Sequence, residues 1–103
     1  MAKFIFVYHG GKAPDSEAER DRVMAAWGAW MEGLGAALVE GGAPVGMSKT
    51  VNASGVSDDG GSNPVSGYSM VEAADHHTAA DLAKGCPILQ DGGSVEVAEI
   101  LSM

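Results

Sequence analysis

The chain has 103 residues, 46% of them apolar, which supports one modest core and is too short for two, so it reads as a single domain over 1–103. Six basic residues against 14 acidic ones leave a net charge of −8, which repels phosphate backbones and anionic lipid and argues against nucleic acid or a membrane surface as partner. The longest apolar run is a few residues, far below the roughly 20 that a bilayer-spanning helix needs. The opening MAKFIFVYHGGK lacks a small-residue cleavage site, so no secretory leader is expected, and the lone Cys86 precludes an internal disulfide. A reducing, cytoplasmic location is the expectation.

Lys3 to His9, KFIFVYH, is rich in β-branched and aromatic residues and closes on Gly10-Gly11, which predicts a first strand. Its alternate faces, Phe4-Phe6-Tyr8 and Ile5-Val7-His9, are both mostly apolar, so both call for cover. Ser16-Glu17-Ala18-Glu19 then forms a capping box for a helix that runs to about Leu34 and stops at Gly35. Val23, Trp27, Trp30 or Met31, and Leu34 recur at three- and four-residue spacing, giving that helix one apolar stripe. Gly28 and Gly33 each weaken it by on the order of 1 kcal/mol relative to Ala, so packing must hold it.

Ala36 to Thr50 mixes short apolar groups with glycines and one proline, which predicts a broken or bulged strand. Asn52 to Ser66 is the most polar and turn-rich stretch and reads as an exposed connection or a long irregular hairpin. Tyr68 to Ala73 is the next strand, with Tyr68, Met70 and Glu72 on one face and Ser69 and Val71 on the other. Asp75 caps a second helix whose apolar side is Ala79, Leu82 and Ala83, and Lys84, Gly85 and Pro87 end it. After Gly92-Gly93, Ser94 to Leu101 alternates as a last strand, Val95 and Val97 against Glu96 and Ala98.

The order β-α-β-β-α-β specifies an α+β, ferredoxin-like fold with both helices on one sheet face. The opposite face keeps apolar groups from the first and third strands, so a homodimer through that face is expected.

The segments GYSMVEA, LAKGCP and GGSVEVAEI, with Trp27, Trp30 and Leu34 ahead of Gly41-Gly42-Ala43-Pro44, resemble the YCII-related (DGPF-like) family of small bacterial proteins. The resemblance covers nearly the whole chain and implies a dimeric α+β barrel, with little about activity. Some relatives carry a first-helix histidine paired with an aspartate as a proposed acid/base dyad. An ungapped match through Met31 and Leu34 puts Trp27 at that place, and tryptophan does not exchange protons near neutral pH. The dyad is not carried over, and the DGPF tetrapeptide is missing, its region reading Asp58-Asp59-Gly60-Gly61.

Among the chain's own residues His9 is the best acid/base candidate, at a strand end beside two glycines and one short loop from Asp15; the competing reading is an ordinary hydrogen-bonded histidine. Trp27 and Trp30 can wall a pocket between helix and sheet with Tyr68 as its polar edge, or else serve as core. His76 and His77 diverge by about 100° on a helix, and His77 with Asp81 supplies only two of the three or four ligands a zinc site takes, so no metal is expected. Cys86 reads as a small buried side chain. The glycine-rich pieces lack a phosphate loop or dinucleotide fingerprint, so no cofactor is expected. Glu72 and Glu96 leave the sheet either as paired carboxylates or at its rim.

Two functions fit these residues. The first is a homodimeric small-molecule-binding or accessory protein with ligand-binding residues His9, Trp27, Trp30 and Tyr68. The alternative is a small cofactor-independent enzyme, isomerase, lyase or monooxygenase-like, using His9 as acid/base on the strength of fold analogy.

Overall fold

The computed structural model describes residues 1–103. Strand β1 (Ala2–His9) runs through the middle of the molecule and is followed by helix α1 (Glu17–Leu34), a short 3-10 turn (Gly35–Ala37) and strand β2 (Leu38–Pro44). A small hairpin of β3 (Thr50–Asn52) and β4 (Gly55–Ser57) precedes β5 (Val65–Ala73), helix α2 (His76–Ala83), a second 3-10 turn (Pro87–Asp91) and β6 (Ser94–Ile100). The four long strands form one antiparallel sheet in the order β2-β5-β1-β6. Leaving out the hairpin, this is the strand order of a ferredoxin-like α+β fold.

The helices begin where local chemistry places them. Ser16 Oγ accepts the Glu19 amide at 3.1 Å and Asp75 Oδ1 accepts the Thr78 amide at 2.8 Å, each answering a donor that the first helical turn cannot pair internally. Gly35, at φ 55, returns its amide to the Glu32 carbonyl and closes α1.

The core lies between one sheet face and the two helices. Phe4, Phe6 and Tyr8 of β1 and Val71 and Ala73 of β5 are buried against Ala79 and Ala83 of α2, with Trp27, Trp30 and Leu34 of α1 packed alongside. Phe4 and Phe6 are 1% and 0% exposed, and side chains buried to this degree contribute about 1.5–3 kcal/mol each. The alternation predicted for β1 and β5 is the observed one. Ile5 opposes Met70, and Val7 opposes Tyr68 on one side and Glu96 on the other, so these residues share the second face. Along its thinnest axis the molecule extends 18 Å, room for one helix layer on one sheet. Ile5, Val7, Met70 and Ala98 on the second face are half-buried, covered by no element of the chain.

Two segments keep the character read from sequence but have different bounds. The broken strand expected over Ala36 to Thr50 is a 3-10 turn, then β2 with register shifts at Leu38/Glu40 and Glu40/Ala43, then a departure from the sheet. The second bulge requires glycine at position 42: its φ is 73° and a Cβ there would run into the Tyr68 carbonyl. The exposed connection expected over Asn52 to Ser66 contains the second strand of the hairpin and the start of β5. The hairpin is paired through Val51 and Val56 and tied by Lys49 Nζ to Asp58 at 2.7 Å.

Candidate functional site

A groove of about 820 Å³ opens beside the middle of α1, between that helix, the loop after β1 and the bulged part of β2. Val23, Met24, Trp27 and Met31 of α1 form one wall, Tyr8 and Ile88 reach in from the core, and Gly41 to Pro44 form the other side. The position of Trp27 follows from the β1 face: its ring meets Tyr8 edge-to-face at 4.9 Å and Trp30 at 5.7 Å, an arrangement that aligns ring edges with ring faces. Met24, one helical turn earlier, is 66% exposed, so the apolar stripe of α1 extends past the core and onto the groove.

Tyr8 contributes its ring and not a free hydroxyl. The hydroxyl donates to Ser69 Oγ at 2.7 Å, and Ser69 in turn donates to the Gly41 carbonyl at 2.7 Å. Burial pushes the phenol up to about 12, outweighing the opposing effect of the Ser69 hydrogen bond. Tyr8 is therefore neutral and fully engaged at physiological pH.

The four residues singled out from sequence do not converge. Trp27 lies in the groove. Trp30 stacks on Phe6 at 6.2 Å and donates its indole N–H to the Leu82 carbonyl at 3.2 Å, so it joins α1 to α2 and is packing. Tyr68, opposed to Val7 on the other sheet face, borders the same groove as Trp27 where β5 meets the β2 bulge. The tyrosine beside Trp27 is Tyr8, because odd and even positions of a strand point to opposite faces.

His9 also sits on the far face, away from the groove. Its Nε2 meets Glu96 Oε1 at 2.9 Å, and its Nδ1 faces the carbonyls of Asn63 at 2.9 Å and Pro64 at 3.2 Å. A carbonyl only accepts, so Nδ1 carries a proton, and the carboxylate favours one on Nε2 as well. The Glu96 hydrogen bond raises the His9 pKa above its ordinary value, with help from the two carbonyls and against the effect of burial. The partner anticipated from sequence proximity, Asp15, is replaced by Glu96, 87 positions away. The His9 ring thereby clamps together β1, β6 and the loop before β5. Glu96 is thereby committed to His9, while Glu72 stands across from Lys3 on the opposite flank of β1, so the two carboxylates do not form a pair.

His76 Nε2 bonds to the Val97 carbonyl at 2.8 Å, and His77 lies 3.4 Å from Asp81, which Lys84 approaches at 2.8 Å. No three His, Cys, Asp or Glu side chains are grouped to hold a metal ion. Cys86 is 2% exposed, and burial pushes its thiol up to about 11, the condition of an unreactive core cysteine. No helix is long and apolar enough to cross a membrane.

Sequence reasoning overlooked Tyr8, Met24 and Lys12 as groove residues. The signals were present: Tyr8 shares the face of Phe4 and Phe6, and Met24 precedes Trp27 by three positions. Neither a curated protein nor a solved structure matches the chain. The family model described as the YCII-related domain matches residues 4–103, essentially the whole chain, and the protein belongs to that family.

Proposed function

We propose that this YCII-related domain is a cytoplasmic homodimer that binds a small molecule, as a binding or accessory protein, in the groove at Trp27. The observation that carries the reading is the groove itself. Its volume of about 820 Å³ lies within the roughly 300–1,000 Å³ of small-molecule sites, and its walls are mainly apolar with few polar groups, as such sites are. The ring of Trp27 and the thioether side chains of Met24 and Met31 suit a flat or apolar ligand. The placement of His9 favours binding over a cofactor-independent enzyme. It lies across the sheet from the groove with hydrogen-bond acceptors at both ring nitrogens, and a general base needs a free lone pair within reach of its substrate. The half-buried Ile5, Val7, Met70 and Ala98 on the open face support the dimer, since a second sheet packed there would remove them from water.

A thermal-shift screen against flat aromatic and apolar metabolites tests the groove. At least one compound is expected to raise the melting temperature of the wild type and not of Trp27→Ala. A panel without a single hit, or a shift that survives Trp27→Ala, overturns it. Light scattering at micromolar concentration is expected to give twice the chain mass; a monomer mass removes the dimer.

A further inference from the structure

Lys12 stands apart from most of the basic residues. Of the six in the chain, Arg20 lies 4.0 Å from Glu17, Arg22 lies 3.3 Å from Glu19, Lys49 lies 2.7 Å from Asp58 and Lys84 lies 2.8 Å from Asp81. Lys3 and Lys12 have no acidic partner. Lys3 is on β1 in register with Glu72, on the open face. Lys12 is on the groove, in the loop that follows Gly10 and Gly11. An ammonium left unpaired in a chain of net charge −8 is available to an incoming anion, because no internal ion pair must be broken first. Asp91 is the other charged residue on the groove and lies beyond ion-pair distance of Lys12.

We propose that the groove is a receptor for an aromatic or apolar carboxylate, its body against Trp27, Met24 and Met31 and its carboxylate held by Lys12. This rests on the groove being the ligand site. The ligand class follows from the division of the lining: apolar surface along α1, and an unpaired cation elsewhere on the wall. Tyr8 is excluded as an anion donor because its proton is already given to Ser69.

Calorimetric titration with three probes of one shape tests it: naphthalene-2-acetate, its neutral amide, and the cationic naphthylmethylamine. The carboxylate is expected to bind about fivefold or more tightly than the amide, the amine weakest, and added salt should shrink the difference. Lys12→Gln should bring the carboxylate down to the amide while leaving amide affinity unchanged. Equal binding of carboxylate and amide, with both lost in Trp27→Ala, overturns the anion receptor and leaves the groove standing. A preference for the amine, or a Lys12→Gln variant weakened equally for all probes, also overturns it. If none of the three binds the wild type, the groove and the receptor fall together.

Discussion

The hydroxyl of Tyr8 lies 2.7 Å from Ser69 Oγ, and that one contact is the middle of a buried chain running from β1 through β5 to the Gly41 carbonyl of β2. Each member depends on Ser69, which both accepts and donates. Ser69→Ala strands the Tyr8 hydroxyl and the Gly41 carbonyl, costing about 1–3 kcal/mol, whereas Tyr8→Phe leaves Ser69 bonded to Gly41 and costs about 1 kcal/mol. Urea unfolding checks the order, and the double variant should be less destabilised than the two single effects added. The phenolate absorbance that Tyr8→Phe removes should appear only around pH 12. Because the folded pKa exceeds the unfolded one, stability should fall as pH rises from about 10 to that value.

His9 and Glu96 give a second pH dependence, closer to neutrality. The Glu96 hydrogen bond is the main cause of the raised His9 pKa, so its contribution is fully present below the unfolded histidine value of about 6.5 and is lost as pH rises through the folded value. Nuclear magnetic resonance of the His9 ring should show a titration displaced upward in the wild type and moved back toward the ordinary range in Glu96→Gln. An unchanged His9 titration in that variant would contradict the assigned cause.

Trp27 and Trp30 should separate by readout. Trp30 stacks on Phe6 and bonds to the Leu82 carbonyl, so Trp30→Ala should cost about 3 kcal/mol. Trp27 has one side on the groove, and Trp27→Ala should cost less stability while abolishing ligand-induced thermal shifts. Equal destabilisation with ligand response intact in both would reverse these roles.

Cys86 should resist modification. With its thiol pushed up to about 11, only about 10⁻⁴ of the molecules carry a thiolate at pH 7, and the sulfur is enclosed. Iodoacetamide at neutral pH should label it slowly, at a rate that rises sharply in urea. Prompt stoichiometric labelling of the native protein would show an opening near the second 3-10 turn.

Local pattern was enough for the elements. Ser16 and Asp75 mark the helix starts because a side-chain oxygen beside a free amide is a local arrangement, and the faces of β1 follow from a period of two. The hairpin was legible as a turn-rich stretch, but its strands, Thr50–Asn52 and Gly55–Ser57, were not, because every residue of them is exposed and no apolar alternation is enforced by a core. The site was legible in pieces. Trp27 was visible from helical spacing, whereas Lys12 has no pattern around it and becomes notable only when the other cations are seen with their acids.

The amino-acid sequence by itself determined one acidic domain, its strands and helices in order, the two-faced β1 and the family. Tertiary structure decided which residues meet. It sent His9 to Glu96, at the opposite end of the chain, set the Tyr8 ring against Trp27 with Tyr68 at the groove's border, and left Lys12 without an acidic partner on the groove. The physical reason is range. Caps, turns and alternation depend on neighbours a few positions apart, whereas the ionisation of His9, the neutrality of Tyr8 and the openness of the groove depend on strand order and register, which bring together groups up to 87 positions apart.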